Sequence, residues 1–164
     1  MNPQAVIWLM NSRCNLNCVH CYASRFLGMR ELSLEEKLKL IRELAEAGVR
    51  YVGLTGGEPL LSEDLEPCIK ELYDRGVECS VNTNGVLLNE RFARLFRRYD
   101  VYVFLSVDGA SREVHEGIRG EGTWERLMRG AEAVRREGVE FSTIMAISKL
   151  NYFEAGGYVE LAER

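Results

Sequence analysis

The sequence predicts an α/β fold in which parallel strands alternate with helices and the sheet curls into a partial, open barrel. Short apolar runs alternate with amphipathic segments of helical periodicity along the 164 residues. The helix-to-strand junctions also repeat, as Gly48-Val49-Arg50, Gly76-Val77-Glu78 and Gly138-Val139-Glu140. The first two junctions lie 28 residues apart and the last two 62, which corresponds to one and then two βα units of similar size. Such repeats build a parallel sheet covered by helices.

The first βα unit shows how the elements are identified. Residues 6–10 are apolar and predict a short buried strand. Ser33 and Glu36 form a capping-box pattern at the start of the next helix, and Gly48 ends that helix. By the same criteria the other strands are predicted over residues 51–55, 77–81, 101–107 and 141–147, and the other helices begin near Ser62, Asn89, Thr123 and Asn151.

This pattern gives about five βα units, whereas a closed barrel of the TIM type has eight strands. The sheet therefore stays open or continues in residues outside this sequence, and the strand over residues 141–147 presents an apolar edge. No Pro- or Ser-rich linker interrupts the pattern. We expect residues 1–164 to form one domain that is incomplete at its carboxyl end, or whose edge a partner covers.

Composition and charge exclude several classes of protein. The chain has 21 Lys and Arg against 25 Asp and Glu, a formal net charge of −4, and 46% of its residues are hydrophobic. These values exclude disordered and fibrous chains, and the mild acidity gives no reason to expect nucleic-acid binding. No run approaches the roughly 20 apolar residues that span a membrane. Residues 1–4 lack the start of a secretory signal, so we expect a cytoplasmic protein.

Three of the five cysteines, Cys14, Cys18 and Cys21, fall within eight residues. This clustering and the odd total argue against a disulfide scaffold and indicate a metal site. Thiolates at C-x3-C-x2-C spacing suit a single soft metal centre. Zinc would need a further ligand, for which His20 is the nearest candidate, whereas a [4Fe–4S] cluster would keep one iron open for another ligand.

Polar or glycine-rich residues also follow the next three strands, and we expect them to meet at the carboxyl edge of the sheet. Simpler explanations exist for each motif: a tight turn for Gly-Gly-Glu-Pro, an ordinary Asn-Gly turn, and a solvated surface charge for the arginine. The candidate residues are Gly56, Gly57, Glu58 and Pro59 after the second strand, Asn82 and Asn84 after the third, and Ser106, Asp108 and Arg119 after the fourth.

The cysteine spacing, followed by the aromatic Tyr22, resembles the signature of the radical S-adenosylmethionine (radical SAM) superfamily. The intact Gly-Gly-Glu-Pro sequence resembles the motif that this family carries after its second strand. The resemblance covers residues 6 to about 151 and is closest in the branch that modifies peptides or matures cofactors. It implies that Cys14, Cys18 and Cys21 hold a [4Fe–4S] cluster, whose open iron is chelated by the amine and carboxylate of SAM. It also implies that SAM contacts Tyr22, Gly56, Gly57, Glu58, Pro59, Asn82, Asn84 and Asp108, with Ser106 and Arg119 at its carboxylate. Met145 and Ala146 of the fifth strand either pack beside its adenine or belong to the core.

The resemblance further implies an activity. One electron from the cluster would cleave SAM to methionine and a 5′-deoxyadenosyl radical, which abstracts hydrogen from a substrate. The implied substrate is a peptide or a cofactor precursor, and the implied electron donor is a flavodoxin or ferredoxin. Two alternatives stay open: a zinc-binding interaction module that uses the same cysteines, and a fragment that binds cluster and SAM without turning over a substrate.

The other reactive side chains are expected to be structural. Cys68 and Cys79 lie in apolar surroundings and are predicted to be core residues. His115 is predicted to be a solvated loop histidine. The pairs Arg97-Arg98 and Arg135-Arg136 are predicted to be charges at helix ends.

Overall fold

The structure, a computed structural model, describes residues 4–163 and contains a five-stranded parallel sheet with six α-helices among those residues. The strands are adjacent in chain order, as expected for a singly wound, open barrel. Residues 1–4 were predicted to lack the start of a secretory signal, and residues 1–3 lie outside the described residues. The strands are β1 (Ala5–Asn11), β2 (Tyr51–Gly56), β3 (Glu78–Thr83), β4 (Tyr102–Ser106) and β5 (Phe141–Ile144), and the helices are α1 (Leu34–Glu46), α2 (Leu65–Asp74), α3 (Glu90–Arg98), α4 (Arg112–Arg119), α5 (Thr123–Arg136) and α6 (Ala155–Ala162).

The two faces of the sheet have different environments. On one face, the side chains of Leu54, Val81 and Val103 are fully buried with the apolar stripes of the helices, because right-handed crossovers place the helices on one side. The opposite face is more open, and Ile7, which pairs in register with Gly53, is 63% exposed there. β5 pairs only with β4 within the described residues. The predicted partial, open barrel is confirmed.

Local signals placed the helices correctly where a cap is encoded in the sequence. The hydroxyl of Ser33 accepts from the amide of Glu36 and the Glu36 carboxylate accepts from the amide of Ser33, so the predicted capping box is present. The side chain of Asn89 accepts from the first amides of α3. Within residues 4–163, no helix is long and apolar enough to cross a membrane.

The segment between β4 and β5 differs from the prediction. No helix is predicted from the sequence over residues 112–119, yet α4 forms there with Ser111 as its cap. Thr123 is the first residue of α5 rather than its cap, because Gly122 precedes the helix and the Thr123 hydroxyl donates to the Gly120 carbonyl at 2.6 Å. The prediction for His115 was wrong: its side chain is fully buried on the inner side of α4 and packs edge-on against Trp124.

The isolated cysteines are core residues, as predicted. Cys68 of α2 and Cys79 of β3 belong to the main hydrophobic cluster. Burial raises the pKa of each thiol to about 12, so both stay protonated and unreactive at neutral pH. The three clustered cysteines lie elsewhere, in the segment that follows β1.

Candidate functional site

A cavity of about 370 Å³ opens at the carboxyl ends of the strands. Residues from all five strand ends contribute to its wall, as the predicted convergence of the loops requires. A second cavity, at the amino ends of β2 to β5, contains none of the predicted site residues. The predicted residues that line the first cavity are Cys14, Cys18, Cys21, Tyr22, Gly56, Gly57, Glu58, Asn82, Asn84, Ser106 and Arg119.

The loop that carries the three cysteines is closed at its base by its own hydrogen bonds. The Ser12 hydroxyl donates to the Met29 carbonyl at 2.7 Å, and the Ser12 amide donates to the Glu31 carboxylate at 2.9 Å. Behind Glu31 lies the fully buried Lys37, whose ammonium group pairs with Asp64 at 2.8 Å and lies 3.9 Å from Glu31. The loop therefore leaves and rejoins the fold at fixed points, which restricts where its thiols can lie.

The thiols themselves are partly buried in the cavity wall. Burial raises the pKa of Cys14 and of Cys18, and the positive charge of Arg119 partly opposes this increase at Cys18. These thiols must lose their protons to bind a metal, and the positive charge of bound iron would stabilise the thiolates. Such partly exposed, clustered thiols differ from the inert core cysteines of α2 and β3.

The geometry gives no support to the zinc alternative. Within residues 4–163, no three His, Cys, Asp or Glu side chains are arranged to hold a single metal ion. The proposed fourth ligand, His20, has its Nε2 atom 3.0 Å from Asp108 Oδ2. Cysteine thiolates are the donors that hold iron–sulfur clusters, and the three cysteines of this loop lie on one cavity wall.

Glu58 connects the second strand end to the third. Its carboxylate is buried and accepts from the Thr83 hydroxyl at 2.6 Å, the Asn84 amide at 2.8 Å and the Leu60 amide at 3.1 Å. Burial raises the pKa of this carboxyl, and the hydrogen bonds oppose that increase. Because its donors come from its own loop and from the end of β3, Glu58 holds these two strand ends together.

The two glycines before Glu58 allow the cysteine loop to come very close. A Cβ atom on Gly57 would lie 2.0 Å from the Arg13 carbonyl oxygen, and one on Gly56 would lie 2.5 Å from the Asn11 carbonyl oxygen. Gly56 also has a φ of +148°, which disfavours other residues. The two backbones are joined by bonds from the Gly57 amide to Asn11 at 3.1 Å and from the Glu58 amide to Arg13 at 2.7 Å. The motif is a contact surface for the cysteine loop, which is more than a tight turn.

The third strand end contacts the cysteine loop as well. The Asn84 side chain donates to the Asn15 side chain at 2.9 Å and accepts from the Val86 amide at 3.0 Å. Asn84 therefore combines ordinary Asn-Gly turn chemistry with a bond between two loops. Tyr22 follows the last cysteine, and its hydroxyl oxygen lies 3.1 Å from the hydroxyl oxygen of Thr55.

Three predicted cofactor contacts, Pro59, Asp108 and Met145, do not line the cavity. Pro59 is buried as the first residue of a 3₁₀ helix over residues 59–61. Asp108 is completely buried, and its carboxylate accepts from Arg119 Nε at 2.5 Å. Arg119 does line the cavity, and its side chain is only 12% exposed, so it is not a solvated surface charge.

Several cavity residues were not among the predicted site residues. His20 had been considered only as a zinc ligand, whereas Ala146 had been predicted beside the adenine or in the core and does line the cavity. Thr55 and Thr83 lie at the ends of their strands, where the position alone could have identified them. Ala23 and Ile144 have no distinguishing sequence signal.

Comparisons with known proteins agree with this geometry. The family model described as the Radical SAM superfamily matches residues 8–162. The chain is 33% identical to Fe-coproporphyrin III synthase of Methanosarcina barkeri in an alignment 162 positions long, which covers 96% of this chain and 40% of the relative. It is also 33% identical to mycofactocin maturase MftC of Mycobacterium ulcerans in an alignment 167 positions long, gaps included, which covers 99% of this chain and 45% of that protein.

A solved structure gives the corresponding comparison of fold. Native anSMEcpe with bound AdoMet and Kp18Cys peptide superposes with a TM-score of 0.76 at 25% identity, and the match covers 87% of this chain and 43% of that one. The chain therefore spans less than half the length of these three proteins.

Proposed function

The chain belongs to the Radical SAM superfamily, and from this membership we propose that it is the cofactor-binding core of a radical SAM enzyme that acts on a peptide or a cofactor precursor. One observation supports the proposal most. The three cysteines of the family spacing line the same cavity as the Gly-Gly-Glu motif and the polar ends of β3 and β4. The cofactors of this family are a [4Fe–4S] cluster and SAM. When bound, they supply one electron and a sulfonium bond whose cleavage gives methionine and a 5′-deoxyadenosyl radical.

The residues of the chain divide into a cluster side and a SAM side. Cys14, Cys18 and Cys21 would hold three irons and keep the fourth available to SAM. We assign the SAM carboxylate to Arg119 and Ser106, because a guanidinium group pairs well with a carboxylate. We assign the ammonium group to the backbone at Gly56 and Gly57, which line the cavity, because the Glu58 carboxylate already accepts three hydrogen bonds from the protein. Ile144 and Ala146 provide the apolar wall for the adenine.

The substrate class is inferred from the relatives. One relative is named as a maturase, another as a coproporphyrin synthase, and the solved structure holds a peptide beside AdoMet. Together these names favour a peptide or cofactor precursor for the whole protein. A cytoplasmic flavodoxin or ferredoxin is the electron donor that we propose, because the cluster has to be reduced before SAM is cleaved.

The test is anaerobic reconstitution with iron and sulfide, followed by dithionite and SAM. We expect about four irons and four sulfides per chain and the formation of 5′-deoxyadenosine, as a [4Fe–4S] cluster that cleaves SAM requires. The variant Cys18→Ala is expected to lose both, whereas Cys68→Ala, which changes a core thiol, should keep its iron. A colourless wild-type protein that binds zinc tightly and holds no sulfide would favour the interaction module. Stable cluster and SAM binding without 5′-deoxyadenosine would favour the inactive fragment.

A further inference from the structure

Asp108 stands out because every polar atom of this buried residue has a protein partner. Its Oδ2 atom accepts from Arg119 Nε at 2.5 Å and lies 3.0 Å from His20 Nε2. Its Oδ1 atom accepts from the Ala146 amide at 2.9 Å. No side chain atom of Asp108 is left to contact a ligand, which agrees with its absence from the cavity wall.

The backbone of Asp108 is fixed in the same way. Its amide donates to Nδ1 of the buried His115 at 3.3 Å, and its carbonyl accepts from the Asn151 side chain at 3.0 Å. Asn151 also donates to the Ala146 carbonyl at 3.1 Å, and it is itself completely buried. The carboxylate therefore has a defined position even before any cofactor binds.

The side chain partners of Asp108 belong to different walls of the cavity. His20 lies between the second and third cysteines of the cysteine loop, Arg119 is the last residue of α4, and Ala146 follows β5. The buried carboxylate thus joins the loop that would hold the cluster to the arginine that would hold SAM. A further bond, from the Val19 amide to the Ile118 carbonyl at 3.0 Å, fastens the same two segments.

The bond to Asp108 fixes the orientation of the Arg119 guanidinium group. A guanidinium group is planar, so a bond at Nε fixes the plane in which its two terminal nitrogens lie. Those terminal nitrogens have no hydrogen-bond partner among residues 4–163, while the side chain is mostly buried at the cavity wall. They are the donors that remain available to a planar, bidentate acceptor such as a carboxylate.

We infer that Asp108 is a positioning residue that orients the Arg119 guanidinium toward the SAM carboxylate and holds it in register with the cysteine loop. The inference rests on the proposed function, because it assigns SAM to this cavity. Its Oδ2 atom acts through Arg119 and His20, whereas its Oδ1 atom accepts from the Ala146 amide. In Asp108→Asn the side-chain oxygen can keep the Ala146 bond, so the substitution should weaken recognition of the carboxylate while leaving recognition of the nucleoside unchanged.

The test compares two ligands that differ in the amino-acid portion. SAM carries the carboxylate, whereas 5′-methylthioadenosine has the same nucleoside with a neutral thioether and lacks the whole amino-acid portion. Dissociation constants for both are measured by anaerobic calorimetry on reconstituted wild type, Asp108→Asn and the control Asp100→Asn. The control makes the same chemical change at an exposed residue just before β4, where a positive φ of 52° is well tolerated by asparagine.

We expect Asp108→Asn to weaken SAM binding about tenfold, as the loss of a charge-assisted hydrogen bond requires, and to change 5′-methylthioadenosine binding less than twofold. Asp100→Asn should match wild type for both ligands. Equal weakening of the two ligands by Asp108→Asn, or no weakening of either, would overturn the positioning role and leave the proposed function intact.

A measurement on the cofactor-free protein separates the two ideas. Exchange of the Arg119 Nε–H proton with solvent, followed by NMR, should be slow in wild type and at least about tenfold faster in Asp108→Asn, because the buried hydrogen bond protects it. Equal exchange rates would refute the orientation of Arg119 by Asp108. Protected exchange in a wild type that binds no cluster and no SAM would instead refute the proposed function, and with it the role of Arg119 toward SAM.

Discussion

Gly57→Ala should disconnect the Gly-Gly-Glu motif from the cysteine loop. The added Cβ would lie 2.0 Å from the Arg13 carbonyl oxygen and 3.0 Å from the Cys14 amide nitrogen, whereas real Cβ contacts essentially never fall below 3.0 Å. The two backbones would therefore have to separate by about 1 Å. That shift stretches the bond from the Glu58 amide to Arg13, now 2.7 Å, beyond the range of a hydrogen bond.

The magnitude follows from the bonds that the shift affects. The amides of Gly57 and Glu58 both donate to the cysteine loop. A typical hydrogen bond contributes about 1 kcal/mol to stability, and a buried donor left without a partner costs about 1–3 kcal/mol. We therefore expect Gly57→Ala to lower the free energy of unfolding by about 2–4 kcal/mol, and to reduce iron incorporation because Cys14 moves with the loop.

The assay is urea unfolding of the metal-free protein. The matched control is Gly117→Ala, because that glycine lies within α4 and an added Cβ would meet nothing within 4 Å. Alanine favours a helix over glycine, so the control should be unchanged or more stable by up to about 1 kcal/mol. A Gly57→Ala protein with the unfolding midpoint and iron content of wild type would refute the idea that close backbone contact positions the cysteine loop.

Two further predictions concern buried titratable groups. Glu58→Gln places an amide NH₂ among the donors of Thr83, Asn84 and Leu60, so we expect the free energy of unfolding in urea to fall by about 1–3 kcal/mol. The control Glu66→Gln, at an exposed residue, should leave it unchanged. Equal unfolding midpoints for Glu58→Gln and wild type would contradict the bonding of Glu58. Burial lowers the pKa of His115 to about 4 from an ordinary value near 6.5, so the folded state resists protonation and stability is lost as pH falls from about 6.5 to 4. The free energy of unfolding that wild type loses over this pH range reaches about 3 kcal/mol, and this loss should be absent in His115→Gln. An equal loss of stability in the two proteins between pH 7 and pH 4.5 would contradict this prediction.

Sequence reasoning identified the elements that carry local signals. The capping box at Ser33 and the cap at Asn89 are short-range patterns, and the structure contains both. Helix α4 was missed because its few apolar residues, such as Val114 and Ile118, are separated by charged ones. The burial of His115 was missed with it, since burial depends on which face of that helix packs against α5 and on Trp124.

Within the site, the sequence indicated which residues converge but could not show which are already satisfied by the protein. Asp108 and Glu58 carry the same carboxylate that could serve a ligand. Their partners, however, lie far away in sequence, such as Thr83 at 25 residues from Glu58 and Ala146 at 38 residues from Asp108. No local pattern encodes such contacts, so only the structure assigns these carboxylates to joining loops.

These bonds between loops also determine how far the site depends on the rest of a longer protein. The cysteine loop is bonded to the second strand end through Glu58, to the third through Asn84, and to the fourth through Asp108. Asp108 in turn holds Ala146 after the fifth strand. Every strand end of the sheet is therefore connected to the cysteine loop by bonds within residues 4–163. Because these bonds join the cysteine loop to every strand end, the cavity should keep its shape in the chain as given, and the cofactor chemistry can be tested separately from the substrate.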